Sequence, residues 1–231
     1  MRIVLCCLAV AVNAVNGIAE EATDSAATQT NSYTFSVHTS LPPYRFQLVR
    51  GTNVSDVVGI EVFRGTETKP LQVLTNEFTP MPWEKEVLFV VDANFDGYLD
   101  LATVYSAGAT GNMSYYVWLY DPRTGTFCYN AELAELCRPK FEARDQRIYT
   151  FCKGGAAGMI YDSEVYAWEG SRLKLVYKET QDELRRPVRD FLERRLHVTV
   201  LKSDPAFVRT TRVLTNGVWK ETKERVEEEE P

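Results

Sequence analysis

The sequence predicts an all-β protein, and three observations lead to that prediction. Short runs of apolar residues alternate with polar residues at a period of two along most of the chain, which is typical of strands. Turns that contain glycine recur between these runs. Helical patterns are limited to Ala131–Leu136 and to Glu183–Arg195, where Pro187 allows at most a short or broken helix.

The N-terminus has the pattern of a secretory signal peptide. An apolar run, Ile3–Val12, follows Arg2, and small residues come next. The run is too short to span a membrane. We therefore expect export of one folded domain, with these boundaries: a signal peptide over 1–19, a polar spacer over 20–32 and the domain over 33–220.

Glycine-containing turns divide the exported domain into units of similar length. The four turn glycines are Gly65, Gly125, Gly170 and Gly217, which lie 60, 45 and 47 residues apart. A four-stranded propeller blade repeats at roughly 40–50 residues. The spacing therefore favours a small β-propeller of four or five blades, and a β-sandwich remains the alternative.

The predicted strands precede and follow these turns along the chain. Asn216-Gly217 is the strongest signal for a tight hairpin, because both residues accept the positive φ that such a turn needs. In chain order the predicted strands are Tyr33–His38, Tyr44–Val49, Ile60–Arg64, Pro70–Leu74, Val87–Val91, Leu99–Tyr105, Tyr116–Tyr120, Thr126–Tyr129, Arg147–Phe151, Val165–Glu169, Leu173–Tyr177, Leu196–Leu201, Phe207–Thr211, Arg212–Thr215 and Val218–Lys220.

One loop carries oxygen-bearing side chains at the spacing that calcium ligands require. Residues 92–100 have the pattern D-x-N-x-D-G-x-x-D, with Gly97 at the position where the chain turns sharply. Calcium takes about six to eight oxygen ligands. The predicted Ca²⁺ ligands are the side chains of Asp92, Asn94, Asp96 and Asp100 and the backbone carbonyl of Tyr98.

The segments around this loop indicate which kind of calcium motif it is. An EF-hand would place a glutamate at the twelfth position, which is Thr103 here, and would have helices on both sides. Strand patterns flank the loop instead, at Val87–Val91 and Leu99–Tyr105. The arrangement of strand, calcium loop and strand resembles the integrin-type β-propeller blade, known as the FG-GAP repeat. An ordinary Asp/Asn/Gly hairpin turn without metal is the alternative.

Export also changes how the cysteines are interpreted. Cys6 and Cys7 leave with the signal peptide, so Cys128, Cys137 and Cys152 remain in an oxidising compartment. Three cysteines allow three single disulfides, each with one cysteine left over. We favour the pair Cys128–Cys137, because it closes a short loop after a strand.

The formal net charge of −6 is concentrated at the C-terminus. Residues 221–231 hold six glutamates against Lys223 and Arg225, so the rest of the chain is nearly balanced. This distribution includes no basic stripe for nucleic acid. The acidic segment 221–231 is expected to be a solvated, disordered tail.

Catalytic motifs are sparse in the sequence. His38 and His197 both lie in strand patterns, and no nucleophile motif accompanies either of them. The sequence contains no H-E-x-x-H, C-x-x-C or P-loop motif. We therefore expect a protein without enzymatic activity.

Several of these features together resemble one bacterial family. They are the signal peptide, the D-x-N-x-D-G-x-x-D loop, Tyr116-Val-Trp-Leu-Tyr-Asp-Pro122 with Thr124-Gly125, and Cys-Lys-Gly-Gly-Ala-Ala-Gly followed by Tyr-x-Trp-x-Gly-x-x-Leu. The family comprises periplasmic calcium-binding β-propellers that act as immunity proteins against lysozyme-like effectors of antibacterial type IV secretion systems. The resemblance covers roughly residues 87–178. It implies an inhibitor of a lysozyme-like peptidoglycan hydrolase, with structural calcium.

If the protein is such an inhibitor, its target contact is expected on the glycine-rich segment Lys153–Tyr161. Gly155 gives this loop freedom to enter a narrow cleft, and Tyr161 offers a flat aromatic ring. Asp162 adds a weaker polar contact. The alternative is that the loop merely joins two strands and Tyr161 packs on its own blade. Two other functions stay open, an adhesion or scaffolding module and a secreted hydrolase.

Overall fold

Among the residues that the computed structural model describes, nearly all regular structure is β-strand. These residues are 32–53, 55–81, 87–155, 159–183 and 207–226, and they belong to one compact unit, Asn31–Pro231. They form β1 (Ser32–Phe35), β2 (Tyr44–Arg50), β3 (Val57–Arg64), β4 (Gln72–Leu74), β5 (Phe89–Val91), β6 (Asp100–Ala107), β7 (Met113–Asp121), β8 (Thr126–Tyr129), α1 (Ala131–Ala134), β9 (Lys140–Glu142), β10 (Arg147–Lys153), β11 (Tyr161–Glu169), β12 (Arg172–Glu183), β13 (Phe207–Thr215) and β14 (Val218–Val226).

The all-β prediction is therefore confirmed. Strand β9 has no counterpart among the predicted strands, and β13 is one continuous strand where two were predicted. The signal peptide, nearly all of the spacer and of the predicted helix Glu183–Arg195, and the strand Leu196–Leu201 lie outside the described residues. Within the described part of the chain, no helix is long and apolar enough to cross a membrane.

The strands form three antiparallel sheets, each of which follows the chain order. Sheet A contains β1 to β4, sheet B contains β5 to β8, and sheet C contains β9 to β14. Within each sheet every strand pairs with its neighbour in sequence, as strands joined by hairpin connections do. The connection between β12 and β13 is longer, and its residues 184–206 lie outside the described residues. Three sheets are fewer than the predicted four or five blades, and in the described residues they do not close into a ring.

Sheet B lies between the other two sheets and is buried on both faces. Leu101 and Trp118 point to one face and join the apolar core that sheet B shares with sheet A. Ala102 and Val117 point to the other face and join a second core with helix α1 and sheet C. Successive side chains of a strand alternate between faces, so burial of both faces accounts for the five consecutive buried residues Asp100–Val104 at the start of β6.

An aromatic cluster joins sheet A to sheet B. Tyr44 of β2 meets Tyr120 and Phe127 edge-on, with ring centroids 5.7 Å apart in each case. The buried hydroxyls of Tyr44 and Tyr120 share a hydrogen bond of 3.0 Å. Gln72 on the edge strand β4 adds a polar link, because its amide donates to the Phe127 carbonyl at 2.7 Å and accepts from the Phe127 N–H at 2.9 Å.

Helix α1 fills the space between sheets B and C. Asn130 caps its first turn by accepting the Leu133 N–H at 2.9 Å. Leu133 is fully buried in the second core. Glu132 on the opposite side accepts the Leu173 N–H at 2.7 Å and also pairs with Arg172, which ties the helix to β12.

The disulfide links Cys137 to Cys152, so the predicted pair Cys128–Cys137 is wrong. Cys137 follows helix α1 and lies with its Cα 5.5 Å from that of Cys152 on β10, a separation that suits a disulfide. Cys128 lies on β8 opposite Leu119 and is a free, exposed cysteine. The helix turns the chain away from β8 toward sheet C, which decides the pairing. A disulfide is compatible with a secreted or periplasmic protein.

The C-terminal segment is also more ordered than the sequence predicts. Strand β14 continues to Val226 and pairs with β13 along its whole length. The predicted start of a disordered tail at residue 221 is therefore wrong for residues 221–226, while 227–231 lie outside the described residues. The hairpin turn between β13 and β14 is confirmed, with φ of 51° at Asn216 and 76° at Gly217.

Candidate functional site

The loop from Asp92 to Asp100 joins β5 to β6 and is held by its own side chains. The Asp92 carboxylate accepts the N–H groups of Asp96 at 3.1 Å and Gly97 at 3.0 Å. Phe95 and Gly97 adopt positive φ of 60° and 88°, so the chain bends tightly around the Asp92 side chain. Burial raises the pKa of Asp92, and the charge of Asp96 adds to this effect.

Asn94 and Asp96 complete the polar centre of the loop. The Asn94 amide donates to the Asp96 carboxylate at 2.9 Å, and its oxygen accepts the Asp96 N–H at 3.2 Å. The other Asp96 oxygen accepts the Tyr98 N–H at 2.9 Å. Three predicted ligands therefore lie together in one loop, in which Asp96 is exposed and Asp92 and Asn94 are half-buried, and their oxygens face the loop backbone.

Asp100 occupies a different environment from the other three side chains. It is fully buried, and its two oxygens accept the N–H groups of Ala93 and Tyr120 at 2.8 Å each. Burial raises its pKa to about 7, although both backbone N–H groups act in the opposite direction. Asp100 thus anchors the end of the loop to β7, a structural role that the motif did not predict.

Tyr98 contributes to packing beside the loop. Its ring stacks on Tyr120 with centroids 5.4 Å apart and contacts His38 at 4.7 Å. The His38 ring also shares a hydrogen bond of 2.7 Å with Ser40. These contacts agree with a structural role for His38, while His197 lies outside the described residues.

The loop has the oxygen chemistry that a hard cation prefers, but it does not form a complete ligand shell. In the described ranges, no group of three or more His, Cys, Asp or Glu side chains is arranged to hold a metal ion. Asp92, Asn94 and Asp96 fit calcium by type and proximity. Asp100 fits less well, because both of its oxygens are already occupied by backbone N–H groups.

The second candidate site is the hairpin between β10 and β11, whose base is fixed from several sides. The disulfide attaches Cys152 to the segment after helix α1. Asn112, from the loop between β6 and β7, donates to the Lys153 carbonyl at 2.7 Å and accepts the Lys153 N–H at 2.9 Å. Gln181 donates to the Met159 carbonyl at 2.8 Å. The sequence patterns did not indicate Asn112 or Gln181.

Two adjacent glycines have different surroundings in this hairpin. The Gly154 N–H donates to the Ile160 carbonyl at 2.7 Å, and a Cβ at Gly154 would lie 2.6 Å from the Ile160 side chain. A side chain is therefore excluded at Gly154. At Gly155 a Cβ would meet, among the described residues, only the end of the Ile160 side chain at 3.8 Å, so these residues leave room for substitution at Gly155.

Tyr161 and Asp162 lie at the start of β11, below the turn of the hairpin. The half-buried Tyr161 ring packs on Phe151 at 5.1 Å, and its hydroxyl donates to Glu179 at 2.7 Å. Burial and the Glu179 carboxylate raise the pKa of Tyr161. These contacts favour the alternative that Tyr161 packs on its own sheet. Asp162 is exposed and lies 3.7 Å from the Lys178 ammonium.

A groove crosses β12, β13 and β14 on one face of sheet C. One part, of about 210 Å³, is lined by Lys178, Thr180, Thr210, Arg212 and Lys223. A second part, of about 380 Å³, adds Leu175 and Trp219. Acidic partners balance its cations, since Lys178 pairs with Glu164 at 2.7 Å and Arg212 with Glu221 at 2.7 Å.

Comparisons with known proteins give no family assignment. No family model matches the chain, and no curated protein matches it. Among solved structures, a Xanthomonas type IV secretion system related protein is similar, with a TM-score of 0.49 and 16% identity. The similarity covers 85% of this chain and 95% of that chain. At this score the similarity supports no conclusion about function.

Proposed function

We propose that this protein is a periplasmic binding protein that inhibits a lysozyme-like cell-wall hydrolase and has no catalytic activity of its own. The observation that carries the proposal is the fixed base of the β10–β11 hairpin. A disulfide and the side chain of Asn112 hold the end of β10, and Gln181 holds Met159 in the segment that leads into β11. Flanks that are fixed before binding lose little conformational entropy when the segment contacts a target; residues 156–158 of this segment lie outside the described residues.

The exposed part of this hairpin supplies the proposed contact. Gly155 is exposed and has room for close approach by another protein. Asp162 is exposed on β11, opposite Cys152. Tyr161 supports the hairpin through Phe151 and Glu179. We therefore assign target contact to Gly155 and Asp162 and give Tyr161 the role of positioning them.

The proposal includes Ca²⁺ bound by the loop after β5. The side chains of Asp92, Asn94 and Asp96 and the Tyr98 carbonyl would hold the ion. Asp100 would anchor the end of the loop next to it. The ion would neutralise carboxylates that otherwise repel one another across a few ångströms. The support for this part is the motif and the proximity of the three side chains.

The proposed fold is a β-propeller in which sheets A, B and C are consecutive blades. Its support is the packing of sheet B, which has an apolar core with another sheet on each face, as a blade has with its two neighbours. The Cys137–Cys152 disulfide supports export to an oxidising compartment, for which the periplasm is the proposed location.

Inhibition assays with purified protein test the function. We expect the protein to slow peptidoglycan hydrolysis by at least one of a panel of lysozyme-like muramidases and to release no sugar or peptide alone. Gly155→Trp should weaken inhibition at least tenfold without lowering the melting temperature, because the position is open. Asn130→Gln, which alters a helix cap outside the hairpin, is the control.

Two results would contradict the proposal. Hydrolysis of peptidoglycan by the protein alone would identify an enzyme. Failure to inhibit any muramidase, together with capture of a non-enzymatic envelope protein from periplasmic extract, would favour the adhesion or scaffolding function.

A further inference from the structure

Strand β14 forms an open edge of sheet C. It is the last strand of the six, and within the described residues β13 is the only strand paired with it. Residues 218–224 are all exposed. An edge strand of nine residues presents a row of backbone N–H and carbonyl groups that can pair with another strand.

The hairpin turn decides which backbone groups point to this edge. Thr215 and Val218 flank the two-residue turn, so they form a hydrogen-bonded pair. Hydrogen-bonded and non-hydrogen-bonded pairs alternate along an antiparallel ladder. The N–H and carbonyl groups of Glu221 and Lys223 therefore point outward, while those of Thr222 point to β13.

The sequence of β14 is complementary to itself when it is read in the opposite direction. Centred on Thr222, antiparallel pairing of two copies places Lys220 opposite Glu224 and Glu221 opposite Lys223. Val218 then lies opposite Val226. Opposed residues in such a pair point to the same face of the sheet, so each acid meets a base on its own side.

We propose that β14 pairs with β14 of a second copy of this chain, so that two six-stranded sheets join into one sheet of twelve strands. A twofold axis perpendicular to the sheet passes beside Thr222, and both copies use the same surface. Glu221 and Lys223 of each copy supply the backbone hydrogen bonds nearest the axis. The unlike charges on both faces fix the register.

The ion pairs within one chain keep the charged side chains of β14 in positions from which they can meet the second copy. Glu221 pairs with Arg212 at 2.7 Å and Lys223 at 3.2 Å, and Glu224 pairs with Arg209 at 2.8 Å. These ion pairs hold the two carboxylates on the surface of the hairpin. No ion pair to Lys220 lies among the described residues, so Lys220 is available to meet Glu224 of the second copy.

Charged residues on an edge strand commonly prevent association. The order of positive and negative side chains along β14 shows whether its charges prevent or favour pairing. An edge that prevents pairing would place like charges opposite each other. In the register centred on Thr222, Lys220, Glu221, Lys223 and Glu224 each lie opposite a residue of unlike charge, and Arg225 lies opposite Trp219.

The first test measures the molar mass of the protein by analytical ultracentrifugation over a range of concentrations. We expect a dimer. Lys220→Glu should raise the dimer dissociation constant about tenfold or more, because two symmetric attractive pairs become repulsive. Adding Glu224→Lys restores unlike charges and should restore the dimer, since Arg209 keeps its bonds to Gln181. Lys140→Glu on the opposite edge strand is the control and should have no effect.

The second test traps the register with a disulfide in a Cys128→Ser background, which removes the free cysteine. Thr222→Cys places two cysteines across the axis with Cα atoms about 4.5 Å apart, within disulfide range. Lys220→Cys is the matched control, because its two copies lie four residues, about 13 Å, apart along the strands. We expect oxidation to link Thr222→Cys at least tenfold faster than Lys220→Cys.

A monomer at all concentrations would overturn the proposal. So would a dimer that tolerates Lys220→Glu, or equal cross-linking rates at the two positions. None of these results depends on whether the protein inhibits a hydrolase.

Discussion

Removal of the Cys137–Cys152 disulfide should destabilise the protein substantially. The bond spans a sequence separation of 15 residues. For a loop of this length, the restriction of the unfolded chain predicts a stabilisation of roughly 3 kcal/mol. For a chain of 150–250 residues, each kcal/mol shifts the melting temperature by about 2–4 °C, so the expected loss is about 6–12 °C.

Thermal unfolding of two variants measures this effect. The double variant Cys137→Ser/Cys152→Ser should melt lower than the wild type, and a reducing agent should not lower it further. Cys128→Ser should melt like the wild type, because Cys128 is exposed and unpaired. Peptide mapping without reduction should recover one cross-linked peptide that contains residues 137 and 152.

The alternative pairing Cys128–Cys137 gives a different result in the same experiment. Cys128→Ser would then lower the melting temperature as much as the double variant does. A wild-type protein whose melting temperature does not respond to reduction would refute the stabilising role of either bond.

Three further predictions follow from the loop after β5 and from helix α1. A chelator should lower the melting temperature, since a ligand at a hundredfold excess over its Kd stabilises the folded protein by about 2.7 kcal/mol. Asp96→Ala should abolish that difference, and equal melting curves with and without chelator would contradict calcium binding. Asp100→Ala should lower the free energy of unfolding by roughly 2 kcal/mol or more even with chelator present, because the buried N–H groups of Ala93 and Tyr120 lose their acceptor. Urea unfolding measures this loss, and unchanged stability in chelator would contradict the anchoring role of Asp100. The Leu173 N–H holds the pKa of Glu132 below its ordinary value of 4.5. The stabilisation of the fold by the Glu132 carboxylate is therefore present above pH 4.5 and is lost as the pH falls through the folded-state pKa. Glu132→Gln should show a smaller acid-induced loss of stability, and a pH profile identical to that of the wild type would exclude Glu132 as a contributor.

Local patterns in the sequence predicted the strands and turns well. Asn216-Gly217 forms the tight hairpin that the pair predicts, and Gly65, Gly125 and Gly170 all adopt positive φ. The D-x-N-x-D-G-x-x-D segment forms a side-chain-bonded loop between two strands. These features depend on backbone preferences and on contacts between residues a few positions apart, which the order of residues specifies directly.

Other features depended on segments that are distant in the sequence. Cys137 has Cys152 as its partner because helix α1 and β10 pack together, and the spacing of cysteines contains no information on that packing. The motif likewise placed Asp100 among the ligands, whereas the N–H of Tyr120, twenty residues away, engages one of its oxygens. Only the folded chain brings these groups within bonding distance.

The sequence by itself therefore determined an all-β chain of sequential hairpins with one acidic loop. The tertiary structure decided which faces are covered and which edges remain open. Residues 221–226 show the difference, because their charge resembles that of a solvated tail, yet pairing with β13 opposes Arg212 to Glu221 and Arg209 to Glu224. The physical reason is that composition measures average affinity for water, whereas strand pairing depends on backbone hydrogen bonds and on which charges come to lie opposite each other.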